Sequence, residues 1–383
     1  MKKTLIVAAL TGVFATAAQA QSSVTLYGLI DAGITYTNNQ NGHSNWKATS
    51  GSVNGSRWGL RGAEDLGGGL KAIFTLENGF NIMNGTNGQG GREFGRQAFV
   101  GLSSNQFGAV TLGRQYDSVV DFLGPLALTG TQYGGTQFAH PFDNDNLDNT
   151  FRVDNSVKYT SANYAGLKFG AMYGFSNQSG GFANNRAYSA GVSYNYGPLN
   201  VAGAYFQSNN AGSVNPLTGV QTAGAITNDQ TPFASGRQRI FGGGLNYAFG
   251  PATVGFVFTQ TMLDSGVGLT NVGTQGQGAV GLGNSARFQN YEVNGRYNLT
   301  PALSLAANYT FTDARILGQK PKFHQVDLQT AYALSKRTDV YLQGEYQHVS
   351  GTGDSGLGAT INGVGVSSTE NQVSATVGVR HRF

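Results

Sequence analysis

The chain has 383 residues, of which only 11% are charged and 58 are glycine, whereas an ordinary soluble domain is about 25% charged and about 7% glycine. The formal charge is only +4 and there is no cysteine. This argues against a nucleic-acid surface and leaves disulfides no part in stability.

Residues 1–20 read as a secretory signal: Lys2 and Lys3 form the charged start, Leu5 to Phe14 the apolar core, and Ala18-Gln19-Ala20 a small-residue cleavage site. A single β-domain is expected over residues 21–383. The apolar core of the signal is too short to span about 30 Å of hydrocarbon, and no other continuous apolar stretch is long enough. Any membrane crossing must use strands.

In chain order, the first strong element is Val24 to Tyr36, where Val24, Leu26, Gly28, Ile30, Ala32 and Ile34 share one face and Thr25, Asp31 and Thr35 the other. The same period of two recurs at Leu167 to Phe175, with Met172 on the second face. It recurs again at Tyr291 to Tyr297 (polar set Glu292, Asn294, Arg296), at Leu303 to Phe311, and at Gln372 to Phe383 (polar set Gln372, Ser374, Thr376, Arg380, Arg382). Sixteen strands are expected, starting near residues 24, 54, 70, 93, 108, 151, 167, 187, 199, 238, 252, 286, 303, 322, 338 and 371. Periodicity is poor at Gly51 to Trp58 and Glu93 to Gly101.

Connections alternate in length. Asp65 to Gly69, Ser103 to Phe107, Gly197 to Pro198, Phe249 to Pro251 and Ser335 to Arg337 are short, whereas Gln115 to Thr150, Ser208 to Arg237, Met262 to Ser285 and Val349 to Glu370 are long. A sandwich has no reason to sort its connections this way. An up-and-down antiparallel transmembrane β-barrel, with short periplasmic turns and long outer loops, does. Side chains cannot fill a barrel of that width, so it should enclose water.

The stretch over about 115–150 is the expected pore loop. It carries Asp117, Asp121, Asp143, Asp145 and Asp148 without a lysine or arginine, and enough large apolar residues to pack against the inner wall. Arg57 and Arg61 share a parity opposite Trp58 and Leu60, and Arg152 and Lys158 share one opposite Val153 and Val157. Pointing into lipid would cost about 2 to 4 kcal/mol for each at the midplane, so these side chains, and Arg96 with them, are expected in the lumen. An inward acidic loop facing a basic wall would set up a transverse field. These arginines would equally serve to pin the loop.

Several segments resemble general porins of β-proteobacteria: Ser23 to Gly28, Gly55-Ser56-Arg57-Trp58-Gly59-Leu60-Arg61-Gly62, Gly95 to Leu102, Leu112 to Gln115, Asp154 to Tyr159 and the terminal Arg382-Phe383. The resemblance covers essentially the whole chain. It implies a homotrimer of 16-stranded barrels in the outer membrane, with the third outer loop folded into each pore. It also implies an eyelet whose basic side is Arg57, Arg96 and Arg152, with Arg61, Arg114 and Lys158 as additions, and whose loop side holds Asp117 and Asp121, with Asp143, Asp145 and Asp148 on the return limb. Phe383 matches the terminal residue read by the outer-membrane assembly machinery. Outer-membrane lipid and lipopolysaccharide are the expected surroundings.

Tyr27, Trp58, Phe94, Phe99, Tyr159, Tyr173, Tyr297 and Tyr346 are expected in interfacial aromatic girdles. No HExxH pair, GxSxG elbow or nucleotide loop followed by a helix occurs, so no metal, cofactor or catalytic centre is expected. The five histidines read as loop or interface residues. The expected function is passive diffusion of ions and small hydrophilic solutes, with a mild preference for anions. The competing expectation is a barrel acting as a surface-binding protein or adhesin through its long loops. A sugar-specific channel would need an aromatic slide, and Tyr341 is the lone aromatic noted on an inward parity.

Overall fold

The computed structural model describes residues 23–212, 224–227, 229–270 and 280–383, so the signal sequence expected at 1–20 lies outside them. The strands in chain order are β1 (Ser23–Gln40), β2 (His43–Ser50), β3 (Arg57–Gly67), β4 (Leu70–Gly79), β5 (Gln97–Ser104), β6 (Gly108–Gln115), β7 (Val153–Thr160), β8 (Leu167–Gly174) and β9 (Arg186–Tyr196). They continue with β10 (Leu199–Asn209), β11 (Phe233–Ala234), β12 (Arg237–Phe249), β13 (Ala252–Leu269), β14 (Val280–Asn298), β15 (Leu303–Ile316), β16 (Lys322–Ala333), β17 (Thr338–Ser350) and β18 (Asn371–Arg382). Each pairs antiparallel with its neighbours, and β1 closes on β18.

The eighteen segments make sixteen staves. β2 and β3 pair with successive parts of β1 and form one interrupted stave, and β11 and β12 do the same along β13. The turns at one end are tight. Gly197-Pro198 and Gly250-Pro251 each place a glycine at positive φ (55° and 57°), where a side chain would be strained and the following proline cannot donate to the ladder. Outward residues such as Val24, Leu305, Val293 and Val377 are exposed while Asp31, Glu292, Asn308 and Thr376 on the opposite parity are buried, as the alternation predicts.

Two strand boundaries differ from expectation. Asn41-Gly42, both at positive φ, makes a two-residue hairpin of the Asn-Gly kind, so β1 and β2 run on beyond Tyr36. β13 and β14 likewise extend toward each other, with Leu269 opposite Val280, through a Gly-rich stretch whose backbone pairs although its side chains carry no alternation.

The break at residues 51–56 explains the lost periodicity there. Asp31 repairs it: one carboxylate oxygen accepts from the Val53 and Asn54 amides at 3.0 and 2.7 Å, and the other from the Tyr341 hydroxyl at 2.6 Å. Tyr27 also points inward, donating to Glu77 at 2.9 Å. This corrects its assignment to a girdle and follows from the Thr25/Asp31 parity it shares.

The segment between β6 and β7 opens with the short helix α1 (Ser118–Phe122), capped by Asp117, whose side chain accepts from the Val119 and Val120 amides. Its apolar residues Val119, Phe122, Leu123, Leu126, Leu147 and Phe151 pack with Met172, Ala187, Ala202, Phe206, Ile240 and Val257 from the strands. Further on, Phe142 meets Phe233, Phe288 and Phe323 at centroid distances of 6.4, 6.2 and 6.0 Å. Polar tethers continue the seam. Asn294 donates to Leu126 O, Gln325 to Gln137 O, Gln343 to Gly134 O, Arg380 to Gln132 O, and the Thr136 amide to Ser52 O. One segment can meet the same face of staves from β8 round to β2 only from the concave side.

Glycines make room for it. A Cβ at Gly191 would lie 2.4 Å from the Phe122 ring. Gly191→Val should therefore unseat α1 at a cost of about 1–3 kcal/mol, typical of overpacking, and lower the temperature at which the folded gel band is lost. An unchanged transition would show that the loop does not rest there.

His140 lies in the loop, as expected, and is moreover the electrostatic anchor of its return limb, a role the sequence did not suggest. It is fully buried, with Nδ1 2.6 Å from Asp145 and Nε2 3.0 Å from Glu292. Burial alone would lower its pKa, but the Asp145 and Glu292 carboxylates outweigh burial and push it up to about 10. Burial likewise raises Asp145, yet the protonated His140 holds it below the usual carboxylate range. The stabilisation from His140 is thus complete below its unfolded pKa and lost as pH rises through about 10. That from Asp145 is complete above the unfolded carboxylate pKa and lost as pH falls below it.

His140→Asn removes the cation between two buried carboxylates, a loss of about 3–5 kcal/mol in comparable sites. Single-channel records of this variant at neutral pH should show added closing flicker, and the unaltered protein should show it above pH 10. Equally quiet traces would contradict the anchor.

Candidate functional site

Where the loop leaves the wall uncovered, a cavity of about 630 Å³ remains between its limbs, the break at 51–56 and the starts of β3, β5 and β7. Arg57, Arg96 and Arg152 reach it from those three starts, and Tyr116 stands among them. Arg96 donates from Nε to Glu77 at 2.7 Å and from Nη2 to the Tyr116 hydroxyl at 3.1 Å, which in turn donates to Glu77 at 3.0 Å. The Arg152 guanidinium stands 5.8 Å from the Tyr116 ring centroid and donates to Thr150 O. Burial and the Arg96 guanidinium hold Arg152 below its ordinary pKa. It stays cationic at neutral pH, as guanidinium groups in proteins do.

The loop faces this wall with Asp121 and Asp148. Asp121 is ion-paired with Lys158, which also donates to Tyr116 O at 2.9 Å. Burial raises the Asp121 pKa and Lys158 opposes the rise. Asp148 has no ion pair among the described residues. Burial pushes it up to about 6, against the Thr136 hydrogen bond and the Arg152 charge.

The other loop aspartates are structural acceptors away from this cavity. Asp117 caps α1 and accepts from Asn146 at 2.8 Å, and burial pushes it up to about 6. Asp143 accepts from the Asp148 and Thr150 amides and the Thr150 hydroxyl. Burial, followed by the Asp148 and Asp145 charges, raises it well above the carboxylate range. Asp145 belongs to the His140 anchor and also accepts from Thr259 at 2.5 Å.

Two expected wall residues also stand apart from the cavity. Arg61, four positions further along β3, lies over the Tyr27 ring at 5.3 Å. Arg114 follows a register shift between Gly113 and Gln115. That irregularity upsets simple alternation, and its guanidinium is taken up by Asp154, Gln230 and Gly95 O. Phe383 pairs its backbone N–H and C=O with Gly28 at 3.0 Å each and completes the closing seam.

Glu77 and Tyr116, which organise the arginines, were not expected. For Glu77 a signal existed, because a carboxylate within a strand faces the same cost in lipid as an arginine does. Tyr116 carries no such mark.

The chain's similarities agree with this geometry. Residues 4–353 match the model of the Gram-negative porin family. An outer membrane porin protein of Bordetella pertussis is 34% identical, and outer membrane porin protein 32 of Delftia acidovorans 31%, each over 100% of both chains. The solved anion-selective porin from Comamonas acidovorans superposes with a TM-score of 0.73 at 27% identity, covering 95% of this chain and all of that one. The closed barrel, its outward apolar face and these full-length matches together place the chain in the Gram-negative porin family, as a multi-pass β-barrel of the outer membrane.

Proposed function

We propose that the protein is a general-diffusion channel that prefers anions, with its constriction between Arg57, Arg96 and Arg152 on the wall and Asp121 and Asp148 on the loop. The charge balance around the cavity supports this most directly. Arg96 occupies Glu77 and Lys158 occupies Asp121, so Asp148 alone is left to offset Arg57 and Arg152. A cluster of cations with one unpaired carboxylate raises the local concentration of anions and repels cations. An apolar solute would have to displace water from these charged groups, which favours small polar species.

Expectations carried by the family resemblance extend the reading. The working unit is a homotrimer, Phe383 is read by the assembly machinery, and the barrel is a channel without catalytic chemistry. The name of the Comamonas relative points the same way on selectivity.

The reversal potential in a salt gradient across a planar bilayer tests the preference. It should have the anion sign for the unaltered protein and move toward neutrality when Arg57, Arg96 and Arg152 are changed to Gln. With Asp148 titrating at about 6, it is ionised at pH 7.5 and neutral at pH 5, so anion preference should strengthen as pH falls across that window. Asp148→Asn should show the stronger value at both pH values. A cation-signed potential, or one indifferent to the arginines, would overturn the proposal.

A further inference from the structure

Tyr116 stands at the junction of wall and loop, directly after the last residue of β6 and directly before Asp117, which caps α1. Both neighbours are fixed in place. Gln115 is buried and donates from Nε2 to Thr111 O at 3.3 Å and to the Ser156 hydroxyl at 3.1 Å. Asp117 is fully buried with its carboxylate on the α1 amides. The half-buried tyrosine side chain is thus held among the arginines from both ends, and it meets them through its ring and through its hydroxyl.

The ring faces Arg152. Among the described residues Arg152 forms no ion pair, although it is only 4% exposed, and its Nε has no hydrogen-bond partner. What holds its guanidinium is the Thr150 carbonyl and the Tyr116 ring. A buried charge is ordinarily paired with an opposite one, which cancels its field. A carbonyl and an aromatic face attract a cation through partial charges alone, so the full positive charge of Arg152 still acts on the cavity.

The hydroxyl faces Glu77. Glu77 accepts on Oε1 from Arg96 and from Tyr116, and on Oε2 from Tyr27. Gly59 stands opposite Glu77, and Arg57 lies two residues from Gly59 on the same face of β3. A diagonal neighbour of this kind is within reach of a long side chain. The two tyrosine hydroxyls take up the acceptor positions that a second guanidinium would use, so Glu77 pairs with Arg96 and leaves Arg57 without a counter-charge.

We propose that Tyr116 is the positioning residue of the constriction: its ring keeps Arg152 off Asp148 and its hydroxyl confines Glu77 to Arg96, so that Arg57 and Arg152 keep their charge for passing anions. The role rests on the cavity serving as the constriction. Without the ring, Arg152 would turn to the unpaired Asp148, which lines the same cavity, and the new ion pair would both cancel charge and narrow the passage.

Reversal potential and single-channel conductance at neutral pH test this. Tyr116→Leu should lower the anion-to-cation permeability ratio several-fold and reduce conductance. Adding Asp148→Asn to that variant should restore both, which general damage to the wall would not allow, whereas Asp148→Asn alone should leave conductance near that of the unaltered protein. Tyr116→Phe keeps the ring, so it should keep the conductance and lose only part of the preference. The proposal falls if Tyr116→Leu retains the unaltered potential, or if Asp148→Asn fails to restore what Tyr116→Leu loses. A cation-signed potential in the unaltered protein would instead overturn the constriction itself, and this role with it. Should Tyr116→Leu not fold, Tyr116→Phe decides alone: freeing Glu77 toward Arg57 must lower the anion preference, and a potential equal to that of the unaltered protein overturns the proposal.

Discussion

In hydrocarbon an unpaired backbone N–H or C=O costs several kcal/mol, and the pairing of β1 with β18 removes the last two open edges of this sheet. Much else follows from that closure. Sixteen staves enclose a bore too wide for inward side chains to fill, so the interior is wet unless something enters it. The segment from β6 to β7 does enter, and the residue types along it are what that requires: large apolar groups where it meets the wall, and polar side chains where its backbone must find partners.

The inner wall is built to hold the loop on one side and to leave the other open. Over β8 to β18 the wall offers alanines, glycines and phenylalanines for packing, with Gln325, Gln343, Asn294 and Glu292 reaching loop backbone or His140. Near the starts of β3, β5 and β7 it offers guanidinium groups and Tyr116 instead. The electrostatics divide along the same line. On the packed side a protonated histidine bridges two carboxylates out of water. On the open side cations outnumber carboxylates and remain in contact with the cavity.

The alternation of residues such as Leu303 to Phe311 made the strands, their parity and their number legible, because lipid on one side and water on the other impose a period of two. Tight turns were marked by glycine and proline. What alternation cannot express was missed. The break at 51–56 is compensated by Asp31, far away in the chain, and the irregularity at Arg114 redirects a side chain that regular alternation, with Val110 and Leu112 exposed on the same parity, would send outward. Cost arguments placed Arg57, Arg96 and Arg152 inside. They could not separate Asp121 and Asp148, which line the cavity, from Asp117, Asp143 and Asp145, which hold the loop together, since that depends on hydrogen bonds made only once the loop has folded.

The position of the loop is the claim on which the constriction and its selectivity both depend. Ser118 of α1 and Ser189 of β9 have their hydroxyl oxygens 2.8 Å apart, and the chain has no cysteine of its own. A protein carrying Ser118→Cys and Ser189→Cys should form one intramolecular disulfide on mild oxidation, lose both free thiols and conduct as the unaltered barrel does. Two thiols that stay free and react with a bulky maleimide added from outside would mean that the loop does not lie against the inner wall.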